Sequence, residues 1–319
     1  MPAAKTKTIL CLAPIIAVAL AGWLEAGPER VSIDAVARKY GYPRPDVSDT
    51  SLTLKSNYSR IEFTHGHRRM LVNGIVVMMN DAFIYEPDKA SVARIDLETV
   101  INPVLRPQDV DTPRSSRLVV IDPGHGGTDG GMSGNGLTEK GLVLDIARRV
   151  SKRLIGSGVP VRLTRYGDHS ISLGERVRRA KRWHAAIFVS IHINAAENPH
   201  AAGFETYVVP AKGFNSTSSK KSDLRSYPGN RFDAENTALA YQVHGAVLST
   251  APGADRGIKR ARYVVIRDAP CPAILIECGF ASNPTEARRL ARSDHRARIA
   301  NGIAKGILRY YEVAGRAQP

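Results

Sequence analysis

Apolar residues recur along this chain in two different rhythms. Between residues 51 and 105 they come in short runs, Leu52-Thr53-Leu54, Ile61-Glu62-Phe63, Leu71-Val72, Ile75-Val76-Val77-Met78 and Phe83-Ile84-Tyr85, divided by polar breaks. Runs of that length predict strands, and Asn73-Gly74 between two of them predicts a hairpin turn. Residues 27–50, with Pro28, Pro43 and Pro45, have no clear period and read as a short helix or linker. Pro103, Pro107 and Pro113 mark a polar connector that ends before Arg117. From Leu118 the rhythm changes. Leu118-Val119-Val120-Ile121 predicts a buried strand, Leu142, Ile146, Val150 and Leu154 share one face of a helix over 138–155, and 159–163 predicts a strand again. The alternation continues with a helix over 173–183, strands over 186–191 and 204–209, and a helix over 234–248. Strands over 264–266 and 273–277 and a helical region over 284–310 complete it. Such alternation predicts an α/β fold: an open, mostly parallel sheet with helices on both faces over 114–319, preceded by a small β-rich N-terminal domain and linker over 27–113. The Ser/Lys-rich stretch 210–231 interrupts it and predicts an exposed, mobile insertion.

Composition narrows the class. A chain of 319 residues with 43% hydrophobic and 24% charged positions is neither a polytopic membrane protein nor wholly disordered. Lys5 and Lys7 precede an uncharged apolar run over 8–24 that includes Ala19-Leu20-Ala21-Gly22. Residues 1–26 therefore read as an export signal peptide or an uncleaved membrane anchor. Either reading puts the remainder outside the cytoplasm, in the periplasm or cell wall. The 45 Lys+Arg against 30 Asp+Glu give +15, and cleavage after Ala21 would remove Lys5 and Lys7, leaving 15 − 2 = +13. Basicity of that size points to an acidic partner without choosing one. Of three cysteines, Cys11 lies in the export segment. Cys271 and Cys278 flank a strand whose rise of ~3.3 Å per residue separates them beyond the ~7 Å that a disulfide spans, so both are expected as buried thiols.

In an open parallel sheet the ligand site lies at the carboxyl ends of the strands. Four groups collect there. The first strand runs into Asp122-Pro123-Gly124-His125-Gly126-Gly127, whose glycines permit a tight turn that brings His125 to the sheet edge. Glu139 follows Thr138, a candidate N-cap, at the start of the next helix, where a carboxylate also complements the helix dipole. Ser190-Ile191-His192-Ile193-Asn194-Ala195 ends the third strand, and Ala273-Ile274-Leu275-Ile276-Glu277 ends an apolar strand in a carboxylate. A lone ionised Glu there is costly unless it meets a cation or a hydrogen-bond network. Two imidazoles and a carboxylate suit a tetrahedral zinc with three protein ligands and one open position. A further carboxylate such as Glu277 suits a general base toward water and an acid toward a leaving nitrogen.

Five segments in this order, Val119-Val120-Ile121-Asp122-Pro123-Gly124-His125-Gly126-Gly127, Thr138-Glu139-Lys140, Ser190-Ile191-His192-Ile193-Asn194-Ala195, Arg256-Gly257-Ile258-Lys259-Arg260 and Glu277-Cys278-Gly279-Phe280-Ala281-Ser282-Asn283-Pro284, resemble the zinc-dependent N-acetylmuramoyl-L-alanine amidases. The resemblance covers roughly residues 116–312. It implies His125, Glu139 and His192 as ligands of one zinc ion and Glu277 as the catalytic carboxylate. It also implies hydrolysis of the amide between the lactyl group of N-acetylmuramic acid and L-alanine in peptidoglycan. Position 278 is Cys where the family more often has another small or apolar residue. Residues 210–231 stand where some members carry a regulatory helix, but they lack helical spacing. The segment 51–110 weakly resembles the copper amine oxidase N-terminal-like modules of some wall enzymes. No copper chemistry follows, since His65 and His67 read as an exposed turn.

A wall-binding protein without catalysis would not need all four motif side chains. Nucleic-acid binding is suggested only by charge. Arg148, Arg149, Lys152 and Arg153 on one helix, and Arg176, Arg178, Arg179, Lys181 and Arg182 on another, read as solvated faces with few aromatics to stack bases, suited at most to anionic wall polymers. A zinc carboxypeptidase-like enzyme would carry a His-x-x-Glu ligand pair, which this motif set lacks.

Overall fold

The computed structural model describes residues 27–86, 89–111, 116–134 and 136–315; residues 1–26, expected as an export signal or anchor, and Pro113 lie outside the described residues. The N-terminal part opens with β1 (Arg30–Ser32) and α1 (Ile33–Tyr40). The Ser32 side chain accepts from the Ala35 N–H to start that helix, and Gly41 at φ 71° turns the chain out of it. An antiparallel meander follows: β2 (Asp46–Val47), β3 (Ser51–Lys55), β4 (Arg60–Thr64), β5 (Arg69–Val72) and β6 (Ile75–Met78). Asn73 and Gly74, at φ 49° and 82°, form the predicted turn between β5 and β6. His65 and His67 sit in the exposed β4–β5 turn, as expected. β7 (Ser91–Ala93) pairs back onto β1. The stretch that reads as a polar connector is instead helical: turns over residues 94–109 bury Leu97, Val100, Ile101 and Val104. Pro103 and Pro107 open such turns, where a missing N–H costs nothing.

The larger part contains β8 (Val119–Pro123), the small hairpin of β9 (Ser133–Gly134) and β10 (Leu137–Thr138), and α2 (Glu139–Gly156). Next come β11 (Val161–Leu163), α3 (Leu173–Arg182), β12 (Ile187–Asn194) and β13 (Phe204–Val208). The chain finishes with α4 (Asp233–Thr250), β14 (Asp255–Arg260), the one-turn α5 (Val264–Arg267), β15 (Ala273–Phe280), α6 (Pro284–Ala291) and α7 (Ser293–Val313). One expected strand is corrected. Residues 264–266 form a helical turn rather than a strand, because three β-branched residues are too few for their spacing to decide. The strand is instead the polar Asp-Arg-Gly-Ile-Lys-Arg of β14, whose pattern is masked by charged side chains paired inside the fold.

One sheet runs in the order β11-β8-β12-β15-β13-β14-β6-β5-β4-β3-β2. β11, β8, β12 and β15 are mutually parallel, β13 runs antiparallel to β15, and β14 and β6 are parallel to β13. The N-terminal strands thus extend the larger sheet. Ile258 bridges Val77, and Asp255 accepts from the Val76 N–H at 2.8 Å. One face buries Val119, Ile121, Ile191, Ile274 and Ile276 against α2, α4 and α7. On the other, Val120, Phe188 and Leu275 pack with Ala180 of α3 and Val265 and Ile266 of α5. Further along that second face, toward the carboxyl ends of β8, β12 and β15, the positions turn polar: Asp122, Ser190, His192 and Glu277.

Since β13 is antiparallel to β15, its far end lies at the opposite sheet edge. Residues 210–231 leave from there, and their first half is pinned rather than mobile. Ala211 N donates to Asn80 Oδ1 at 3.0 Å, Arg68 donates to the carbonyls of Asn215 and Ser216 at 3.0 and 3.2 Å, and Thr217 N donates to Arg260 O at 2.7 Å.

Candidate functional site

His125, Glu139 and His192 come from three elements, the turn after β8, the start of α2 and the end of β12, and their ligating atoms all lie within 4.8 Å of one another. His125 adopts φ 58°, a conformation uncommon outside glycine, followed by Gly126 and Gly127 at φ 128° and 62°. Two buried arginines hold this turn through its backbone. Arg176 donates to Pro123 O at 2.7 Å and His125 O at 2.8 Å, while its charge meets Asp122 at 2.7 Å. Arg165 donates to Pro123 O and Gly124 O at 3.1 and 2.7 Å. The solvated-face reading of Arg176 is therefore corrected: 3% exposed, it is part of the frame.

Thr138 occupies the N-cap of α2 but its side chain makes no capping bond. The loop before it does the work, Met132 O accepting from Glu139 N at 2.9 Å and Gly130 O from Lys140 N at 3.1 Å. The Glu139 carboxylate accepts from Met132 N at 2.8 Å and Ile193 N at 2.9 Å, and its Oε1 lies 3.0 Å from His192 Nδ1 and 3.2 Å from His125 Nε2. Burial pushes its carboxyl up, but the two imidazoles and the backbone donors outweigh burial and hold it well below the ordinary range. The hydrogen bond to Glu139 pulls His125 above its usual value. Asp129, four residues after His125, receives His125 Nδ1 at 2.9 Å and so leaves Nε2 for the cluster. Packing is close: a methyl at Gly124 would lie 2.3 Å from the His192 ring, and one at Gly131 2.5 Å from Glu139.

Glu277 is beside this cluster without belonging to it. It pairs in register with His192 on one side and Glu205 on the other. It is 8% exposed, and its Oε2 has no hydrogen-bond partner among the described residues. Burial first, then the negative charges of Glu139 and Glu205, push its carboxyl well above the ordinary value. Glu205 has the contrary fate. It accepts from Asn194 Nδ2 at 3.1 Å, Tyr207 OH at 2.5 Å, Arg256 Nε at 2.7 Å and Lys259 Nζ at 2.5 Å. These donors outweigh burial and hold it below its usual range. Tyr207 and Tyr263, rings 5.1 Å apart and edge to face, continue the floor beyond Glu205.

The four residues singled out from sequence thus come together. Asp129, Glu205, Arg165 and Arg176 were missed; the spacing of Asp129 from His125 was a visible signal, whereas the others act through partners distant in the chain. Cys271 and Cys278 are buried free thiols, as expected. The donor chemistry fits a metal: two imidazole nitrogens and one carboxylate oxygen converge within 4.8 Å of one another.

Comparison with known proteins gives a consistent picture. Residues 119–309 match the family described as N-acetylmuramoyl-L-alanine amidase. The N-acetylmuramoyl-L-alanine amidase LytC of Bacillus subtilis is 34% identical over 62% of this chain and 36% of its own length. The sporulation-specific N-acetylmuramoyl-L-alanine amidase of the same organism is 35% identical over 59% of this chain and 66% of its own. The chain therefore spans about a third and just under two thirds of those two relatives. Among solved structures, the N-acetylmuramoyl-L-alanine amidase AmiC2 of Nostoc punctiforme superposes with a TM-score of 0.53 at 36% identity, covering 61% of this chain and 97% of that one.

Proposed function

The chain belongs to the N-acetylmuramoyl-L-alanine amidase family, and on that premise we propose that it is a zinc-dependent peptidoglycan amidase that hydrolyses the bond between N-acetylmuramic acid and L-alanine. One observation carries the reading: three metal-type ligands converge beside a buried carboxyl whose Oε2 has no partner among the described residues. His125 Nε2, His192 Nδ1 and a Glu139 oxygen would hold the zinc, with Asp129 fixing the His125 ring. A zinc ion held there supplies Lewis acidity toward the amide carbonyl and toward water. Glu277 takes the proton of the attacking water at Oε2 and returns it to the departing L-alanine nitrogen. A carboxyl whose pKa is raised well above the ordinary Glu value suits both halves of that transfer. Arg165 and Arg176 keep the His125 turn in its uncommon conformation, so the ligand geometry exists before substrate arrives.

The chain works outside the cytoplasm in this reading, exported by residues 1–26, with its excess positive charge favouring residence on an anionic wall. Among the described residues no helix is long and apolar enough to cross a membrane. The test is incubation of the protein with purified peptidoglycan and mass spectrometry of the soluble products. Peptides beginning with free L-alanine are expected, lost in strong chelator and restored by zinc. Intact sacculi that merely retain the protein would overturn the hydrolase in favour of the alternative, a catalytically inactive wall-binding protein.

A further inference from the structure

Arg256-Gly257-Ile258-Lys259 is the motif to which the reaction above gives no task. In a regular strand, residues three apart point to opposite faces. In β14 they do not: the register slips by one residue between Phe204↔Asp255 and Thr206↔Ile258, and Gly257 sits in the slip at φ 91°. This glycine bulge brings Arg256 and Lys259 to the same face, where both reach Oε1 of Glu205. β15 repeats the device. Its pairing slips between His192↔Glu277 and Asn194↔Phe280, Gly279 has φ 130°, and Glu277 and Phe280 share that face. Phe280, 2% exposed, is the platform on which the Arg256 guanidinium lies, 4.8 Å from the ring centroid.

The result is a cation held rigidly and only half spent. Nε of Arg256 is bound to Glu205, and no described residue accepts from Nη1 or Nη2, although the side chain is 35% exposed. One buried carboxylate is shared by two cations, and it engages Arg256 through Nε alone. Glu286, the other carboxylate that senses Arg256, is turned to the N–H groups of Gly203 and Phe280. A planar fork with two unused donors, stacked on an aromatic ring, matches a carboxylate. β14 lies two strands from Glu277, roughly 10 Å across the sheet, and the Arg256 side chain leans back toward Glu205, shortening that distance. Extended peptide advances ~3.3–3.6 Å per residue, so a stem whose scissile amide lies over Glu277 would bring its second residue near the fork.

We propose that Arg256, set by the Gly257 bulge and the Phe280 ring, binds a free carboxylate on the second residue of the stem peptide and makes the enzyme select acidic over amidated stems. The inference rests on the amidase reading. Its test uses the zinc-loaded full chain and two muramyl dipeptides with the D-glutamate γ-carboxyl blocked as the N-methylamide, one with its α-carboxylate free and one with it amidated. The ratio of kcat/KM, acid to amide, is expected near ten, about the size of one charge-assisted hydrogen bond. Arg256→Met should bring the ratio close to one, and Arg256→Lys, which keeps the charge without the fork, should leave it between. A Met variant with the wild-type ratio overturns the proposal, as does collapse of the ratio in Lys259→Met alone. Should Arg256→Met fail to fold by its melting curve, the Lys variant decides, since an unchanged ratio there excludes the fork. Calorimetric binding of both dipeptides to Glu277→Gln provides a reading independent of turnover. Equal affinities sink the subsite, whereas tighter acid binding without cleavage by the wild type would sink only the hydrolase reading.

Discussion

Glu139 and Glu277 are the same residue type, 3% and 8% exposed, yet they sit in opposite electrostatic environments within one cleft. Glu139 stands at the rim, where a helix start, a loop and a strand end supply N–H groups and imidazoles to it. Glu277 stands on the sheet floor, where its neighbours in register are a histidine and another carboxylate and its Oε2 goes unpartnered. Burial costs both the same kind of desolvation; partners rescue only the first. The lesson is that function divides by what surrounds the carboxylate. In the proposed reaction, Glu139, held below its ordinary pKa by many partners, suits a metal ligand, and Glu277, held above its own, suits a proton carrier.

Replacing the floor residue is the most direct way to break this contrast. Glu277→Gln should lower turnover by about 10²- to 10⁴-fold while zinc stays stoichiometric by metal analysis, because general acid–base catalysis is lost and the ligands are untouched. Loss of zinc in that variant would show the two regions are one. A smaller effect is expected at the rim. Asp129→Ala frees the His125 ring and should weaken zinc affinity by about 10- to 100-fold in chelator competition, with the melting temperature little changed. Unaltered affinity would mean that the backbone bonds from Arg165 and Arg176 suffice to orient the ring.

The subtlest test is the pH dependence of stability in chelated protein, where the two carboxylates must have opposite signs. Glu139 is held below its unfolded value, so its contribution is present above the ordinary Glu pKa and is lost as pH falls through the folded one. Glu277 is held above, so its contribution is full below the ordinary Glu pKa and is lost as pH rises through the folded one. Each has a slope limited to about 1.4 kcal/mol per pH unit. Glu277→Gln should therefore flatten the decline of stability on the neutral side, measured by denaturant unfolding, and Glu139→Gln should flatten the acid side. Identical profiles for both variants would refute the contrast.

Much of the site was legible because each key residue closes a locally readable segment. His125, Glu139, His192 and Glu277 each end an apolar strand or open a helix, and the rule that ligands gather at the carboxyl ends of parallel strands then brings them together. Glu205 was not legible. It lies near the start of an antiparallel strand, and its importance comes from Arg256 and Lys259, more than 50 residues away. The same holds for β14, whose charged residues hide a strand because their partners are supplied by the fold. Residues 210–231 show the converse. Ser/Lys-rich composition predicts mobility, but Arg68 and Asn80 of the N-terminal part tie them down, and the antiparallel course of β13 carries them away from the cleft.

The amino-acid sequence by itself determined the order of strands and helices and the four side chains at the sheet edge, since apolar periodicity and end-of-element chemistry are local properties of the chain. Only the tertiary structure decided that the N-terminal strands extend the same sheet through Val77 and Ile258, that two glycine bulges bring Arg256, Lys259, Glu277 and Phe280 to one face, and which carboxylate is held below its ordinary pKa and which above. Register and desolvation depend on which distant segments come to lie side by side, and no spacing along a single chain encodes that directly.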